Sequence, residues 1–578
     1  MNLSVQSVCK TLAFATSIVA LSSTTSAFAL SPVTPQQIEK LPAQPLEDVV
    51  NVRLQPVKND NTAFAITWGG DVATEMAVVD GIFKQEGFDS FKLTCENDFA
   101  KQVQACLDGE TPYLRGTLGM IATAAPVFQK AGTGLVVAAQ KTWSTGGDAI
   151  VVRGDIKTVA DLKGKTIVCQ RYGPHVDYLM ALLKGAELTS KDVNIIWVND
   201  LTLPETDNGK ITDPVSAFES DSSIDAAMCI IPDALVLTGK EGVKGADILS
   251  TTKTNAKVIA DVYAVRLDYF EANRDKVQAF TRSVLRGQEA LQKLNSNKKS
   301  QQAKYRQVLS SASKLVWGSA EMTSDTEALM ADCTFVGHGG NVAFFTGQGT
   351  TRNLEKMSEQ IQKALLDVGM ISGRAPIGNP SWDFNALGRG LTSTGIADAT
   401  PAFDSNRAQR AVQERIETEL DSWEDAATLF VREVYFPPKS TDFDASSYEM
   451  MYAEIVELAQ TNSGALIVIE GHADPLGILK AKKEGKSQTE IGMIKQRVKS
   501  LSLERAKSVN KAFFAYCAAR GLRIDQSQFV AVGIGVDSPK HFPVRTKEQW
   551  NENRRVAFRV KNVEAELSEF EFIDIDSK

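Results

Sequence analysis

Apolar positions along this chain switch between two regimes, short continuous runs and longer stretches that recur with helical spacing. The run Ala63 to Trp68 ends in Gly69-Gly70-Asp71 and leads into a helical pattern through Phe83. Residues 87–95, GFDSFKLTC, predict a second strand, and Lys101 to Leu107 a second helix. The theme returns after Val151 with TIVCQ (Thr166 to Gln170), a helix from about His175 to Lys184, VNIIWV (Val193 to Val198) and IDAAMCII (Ile224 to Ile231). Strands alternating with helices predict parallel sheets covered by helices, here as two α/β units in tandem. Helical spacing dominates from Tyr269 to about Ile371. Strand runs resume with LFVREVYF, ALIVIE, FVAVGI and RRVAFRV, separated by helices from Ser446 to Leu458 and from Leu501 to Arg520.

Between these blocks the pattern weakens. Residues 30–62 hold Pro32, Pro35, Pro42, Pro45 and Pro56 with little periodicity, and predict an extended leader. Residues 388–428 carry a charged helical pattern and read as a connector, and residues 563–578 are an acidic tail. At 578 residues the chain exceeds the roughly 250–300 that one core sustains, so several domains are required. The assignment is 63–387 for the tandem α/β block, with its second unit at about 151–252, and 429–562 for the last folded unit.

Composition removes some function classes. A net charge of -8 argues against general nucleic-acid binding, which needs a basic surface. Lys10, the apolar run Thr11 to Leu21, and Ala27 and Ala29 at the minus-three and minus-one positions of an A-x-A site predict a signal peptide over 1–29; an uncleaved anchor is the alternative. Beyond it lie six cysteines with no C-x-x-C, and the four histidines have no ligand spacing, so neither a metal site nor any cofactor is expected.

Open parallel sheets bind ligands beyond the carboxyl ends of their strands. The loops so placed contribute Trp68, Asp71, Asp98, Trp143, Tyr172, Gly173, His175 and Asp233 as candidate ligand-binding residues. In RYGPHVD, Gly173 and Pro174 precede a helix and leave its first amides open to an anion or polar group; a plain helix start reads equally well. Asp71, Asp98, Asp177 and Asp233 suit a cationic or multi-donor ligand, unless they serve only as N-caps.

The stretches GIFKQEGF, DIKTVADLKGKTIV, DPVSAFES with DAAM, and ADVYAVRLDYFEANRDKVQAF resemble the nitrate, sulfonate, taurine and thiamine-precursor class of periplasmic solute-binding proteins, over roughly Ala63 to Gly388. The resemblance implies a two-lobed periplasmic-binding-protein fold (type II), with hinge crossings near Gly147 to Val152 and Thr251 to Val262. It also makes Cys169 and Cys229 neighbours, so Cys169–Cys229 and Cys95–Cys106 disulfides or side-by-side buried thiols both fit. One branch of this class makes a pyrimidine from its own histidine, but that chemistry goes with iron and a cysteine cluster that this chain lacks, so no enzyme is expected.

IVIEGHADPLG, LSLERAKSV, AVGIGVDSP and NENRRVAFRV, in that order, resemble the OmpA-like peptidoglycan-binding domain. This implies a small α/β sandwich holding the diaminopimelate of the cell-wall stem, with Asp474 and Arg505 at the two key positions and Asn553 and Arg554 in support. The pair also makes chemical sense, since a zwitterion needs an anion and a cation held close together. Two departures stand out: Ala473 replaces a threonine, and residues 480–499, with seven basic and two acidic residues, lengthen the gap to Arg505. That insert reads as a solvated loop, or as a surface for anionic polymer. The combined expectation is a noncatalytic, wall-anchored protein of a Gram-negative periplasm. It would capture a small polar molecule for an ABC-type permease or sensor, or act as an envelope adaptor that no longer serves transport.

Overall fold

The computed structural model describes residues 37–202, 209–394, 403–418 and 428–561. The segment expected to be a signal peptide, residues 30–36 and the acidic tail lie outside the described residues.

Two α/β lobes come first. In one, Tyr113–Thr117, Ala260–Arg266, Leu135–Ser144 and Cys333–Phe335 lie side by side, with the parallel pair Thr62–Ala65 and Lys92–Cys95 in the same lobe. In the other the order is Ala246–Thr251, Asp148–Arg153, Ala226–Ile230, Thr166–Gln170, Asn194–Val198. The chain passes between lobes twice, from Ser144 to Asp148 and from Thr251 to Ala260, where the two hinge crossings were expected. Leu135–Ser144, apolar over Leu135–Ala139 and buried along its whole length, reflects cover on both faces of its sheet.

Among the described residues, the six cysteines form no disulfide. The register pairs Ala226 with Ile167 and Ala227 with Val168, which sets Cys229 one residue out of step with Cys169. Successive side chains face opposite sides of a sheet. Cys169 therefore joins the main core and Cys229 the smaller core beyond it.

The last unit is a four-stranded sheet in the order Thr428–Tyr435, Arg555–Lys561, Leu466–His472, Phe529–Gly535. Ile467 and Ile469 face the helices Glu449–Thr461 and Gln488–Ala519, while Leu466 and Val468 face the other way. That second face is covered by the helix Ser405–Thr418, through Ala408, Val412 and Ile416. The stretch expected to be only a connector thus supplies one layer of this unit. The expected solvated loop over 480–499 is also different: it is the end of the helix Leu476–Lys483, a short turn, and the start of the helix Gln488–Ala519. Ser487 and Glu490 form a capping box that starts the long helix, and Ile478, Ala481 and Ile491 make a small core beneath it.

The leader is extended but closely packed. Leu41 bridges to Trp197, Arg171 donates to the Pro42 carbonyl at 3.1 Å, and Leu46 is fully buried in the core that contains the helix Leu118–Lys130. Further on, Gln55 donates to the Leu107 carbonyl at 2.7 Å, so the segment runs over both lobes.

All described residues from Ile38 onward fall in one compact unit. The C-terminal sheet unit docks on the second crossing: the Gly464 amide donates to the Thr254 carbonyl at 3.1 Å and the Lys257 amide to the Thr461 carbonyl at 3.1 Å. Gly464 is needed there, because a Cβ would sit 1.8 Å from the Lys253 oxygen.

Candidate functional sites

The first candidate site lies where the strand ends of the two lobes meet. Asp71 begins the helix Asp71–Val79 but presents no free carboxylate to a ligand. It is sealed against Arg115, whose Nε is 3.0 Å away, and against the Lys141 ammonium. Burial alone would raise its pKa, yet Arg115 and Lys141 hold it below the ordinary carboxylate range. Arg115 also reaches Asp261 at 2.9 Å, which closes a buried set of two acids and two bases.

Other expected ligand residues have structural partners too. Asp98 caps the helix Phe99–Leu107 by accepting from the Lys101 amide at 3.2 Å, the N-cap alternative. Trp143 is buried in the core, edge-on to Phe344 at 6.5 Å. Trp68 stays at the first crossing: its indole donates to the Thr142 hydroxyl at 3.3 Å, and a Cβ on Gly147 would come within 2.4 Å of its ring.

The second lobe contributes a tighter group. Tyr172 sits at φ 61, a strained position for a residue with a side chain, and its hydroxyl donates to the Gln44 carbonyl of the leader at 2.7 Å. Gly173 passes so close to Gln170 that a Cβ would meet its Oε1 at 2.0 Å. His175 is fully buried, with Nε2 2.7 Å from Asp148. Asp148 also receives the Ser144 hydroxyl at 2.5 Å, and Ser144 reaches Thr252, so this network ties both crossings together. Sequence reasoning missed Asp148, although Gly146-Gly147-Asp148 repeats the Gly69-Gly70-Asp71 signal. Asp233 is half-buried with Oδ2 unpartnered, and burial with Asp213 and Glu219 nearby pushes its pKa up to about 6.

The lobes touch directly. Asp177, in the first turn of the helix His175–Gly185, lies so near the start of the helix Leu118–Lys130 that a Cβ on Gly119 would be 2.6 Å from its Oδ1. The expected opening at RYGPHVD is therefore occupied by protein groups: the Gln44 carbonyl on Tyr172 and Gly119 on Asp177.

The second candidate site lies at the end of the strand Leu466–His472. Gly471 lets the long helix approach, since a Cβ there would lie 1.8 Å from the Ser502 oxygen. This close contact carries Arg505 to the strand end. Its guanidinium donates to the carbonyls of Ser440 at 2.8 Å, Pro437 at 3.2 Å and His472 at 3.4 Å. Asp474 accepts the Leu476 amide at 3.1 Å and pairs with Arg554 at 3.2 Å, not with Arg505. Arg505 still feels both neighbours: burial and Arg554 lower its pKa to about 10, against the pull of Asp474. Asn553 pins the preceding loop with two bonds to the His541 backbone, both 2.9 Å. The four residues are thus gathered at one place, as two guanidiniums around one carboxylate. Arg505 turns away from Asp474 because backbone carbonyls of the 437–440 loop surround its tip.

Among solved structures, the chain is similar to the periplasmic aliphatic sulphonate binding protein of Escherichia coli, at 16% identity over 56% of this chain and 92% of that one, with a TM-score of 0.39. It is also similar to the alkanesulfonate-binding protein of Xanthomonas axonopodis pv. citri bound to MOPS, at 15% identity over 58% and 99%, TM-score 0.37. A third likeness is to the peptidoglycan-associated lipoprotein of Burkholderia pseudomallei, at 20% identity over 22% and 90%, TM-score 0.17. No curated protein matches the chain. Residues 76–294, within the two-lobed block, match the family described as NMT1/THI5 like.

Proposed function

We propose that this chain is a noncatalytic periplasmic solute-binding protein of a Gram-negative envelope, held to peptidoglycan by its C-terminal unit and serving an ABC-type permease or sensor. The observation that carries the solute-binding part is the topology. Two α/β lobes meet at the carboxyl ends of their parallel strands and are joined by two crossings, an arrangement suited to hinge closure on a small polar ligand. The NMT1/THI5-like match over residues 76–294 supports it.

Wall anchoring draws on the second site. Asp474 can accept from the ammonium of diaminopimelate, and the Arg505 and Arg554 guanidiniums leave positive charge over for its carboxylate. The test is mass spectrometry of small molecules released from natively purified protein, alongside sedimentation with purified peptidoglycan. A stoichiometric polar solute and wall co-sedimentation that Asp474→Ala lowers about tenfold are expected. Failure of either result removes the corresponding half of the reading.

A second reading is an envelope adaptor whose lobes no longer carry solute. The contacts of Gln44 with Tyr172 and of Gly119 with Asp177, which fill the lobe junction, favour it. Finding no solute, together with unchanged hydrogen exchange at both crossings in a solute screen, would select it.

A further inference from the structure

A cavity of about 710 Å³, in the size range of small-molecule pockets, adjoins the first site through Asp177, whose carboxylate also faces Gly119. Three parts of the molecule wall it: the outer side of the helix His175–Gly185, the helix Leu354–Asp367 with the nearby Arg352, and the docked C-terminal unit through Phe430 and Leu458. Two charged groups define its polar end. Asp177 is 6% exposed, and its Oδ1 has no hydrogen-bond partner in the protein. Arg352 is 7% exposed, with Nε on the Lys257 carbonyl at 2.9 Å and Nη1 on Gln360 at 3.3 Å.

These two groups influence one another without forming an ion pair. Burial pushes Asp177 up to about 7, with Asp148 adding to the rise and Arg352 opposing it. Burial lowers Arg352 to about 10, against Glu457 and Asp177. A buried carboxyl and a buried guanidinium that line one cavity without pairing with each other are complementary to a molecule that carries both charges. The rest of the lining combines apolar residues, Met180, Leu183, Val258 and Ile361 among them, with exposed charged ones such as Lys184, Glu187, Glu359 and Lys363.

We propose that this chamber is a binding site for a zwitterion with an aliphatic side chain, the class of free aliphatic α-amino acids, with the ammonium at Asp177 and the carboxylate at Arg352. Such a ligand touches both lobes and the C-terminal unit at once, so it stabilises their docked arrangement by mass action. The assignment requires neither transport nor wall binding.

The test uses the full mature chain with l-leucine as probe, in calorimetry and thermal melts. Leucine should bind and raise the melting temperature with concentration. l-Leucinamide, which lacks the carboxylate, and 4-methylpentanoate, which lacks the ammonium, should each bind about tenfold more weakly or worse. Asp177→Asn should weaken leucine by a similar factor. Ala364→Trp, which narrows the chamber and leaves the charges in place, should do the same; melts without ligand verify that both variants are folded. Absence of heat and of any melting shift with leucine, isoleucine, valine and methionine up to about 10 mM would overturn the proposal. Binding that survives both variants would overturn it equally, by locating the amino acid elsewhere.

Discussion

Two charged clusters in this molecule look alike on paper and differ in one respect that decides what each can do. In the first lobe, Asp71 and Asp261 balance Arg115 and Lys141, and all four side chains are sealed from solvent. In the C-terminal unit, Asp474 faces two arginines, and its side chain keeps 19% of its exposure. A balanced, closed set directs most of its electrostatic capacity inward, although Arg115 keeps one nitrogen without a hydrogen-bond partner. An unbalanced set at a strand end keeps some for an incoming anion. Burial of charge is therefore a poor guide to function unless the partners are counted.

Breaking the balanced cluster should have the largest effect. Asp71→Ala leaves Arg115 and Lys141 buried without their shared partner and should cost about 3–5 kcal/mol in chemical denaturation. If the loss were below about 1 kcal/mol, the cluster would be less closed than its geometry indicates. Asp474→Ala, by contrast, should change stability by only about 1 kcal/mol while lowering wall co-sedimentation about tenfold. A variant that melts early would turn this second cluster into another version of the first.

Asp177 is an intermediate case, a buried acid with no ion-pair partner, and its pH dependence has a definite sign. Its pKa is raised to about 7 in the folded state, so between pH about 4 and 7 the unfolded chain gives up this proton first. Its contribution to stability is greatest at acid pH and declines as pH rises through that window. Melting curves of Asp177→Asn should lack this decline and run above wild type at pH 8, provided Asn keeps the local packing. The smallest effect belongs to the exposed insert. Lys480, paired with Glu484 at 3.9 Å and 75% exposed, should be replaceable by Ala within about 0.5 kcal/mol in the same melts.

How far the chain could be read in advance depended on the range of the forces involved. Strands such as Thr166–Gln170 and Leu466–His472 announce themselves through short apolar runs, and the hinge crossings were implied by the resemblance to solute-binding proteins. The helical insert was legible too, in Ser487-Gln488-Thr489-Glu490, where a capping box marks a helix start. Likewise Ala408, Val412 and Ile416 recur every four residues and mark a buried stripe within a charged helix. What could not be read was partnership across long separations. That Asp71 meets Lys141, or that Arg505 turns to the carbonyls of Pro437 and Ser440, depends on loops whose paths have no local signature. The leader is the clearest instance: its prolines predicted extension, but nothing around Gln44 predicted that its carbonyl would meet Tyr172.

Gly464, pressed against the Lys253 backbone, has a mechanical consequence. A module on a slack tether would let any pull be absorbed by linker chain. Here the C-terminal sheet grips residues 254–257 through backbone bonds, so tension applied to that unit would travel directly into the second crossing. The same segment around which the lobes turn would then be the first to feel strain in the envelope.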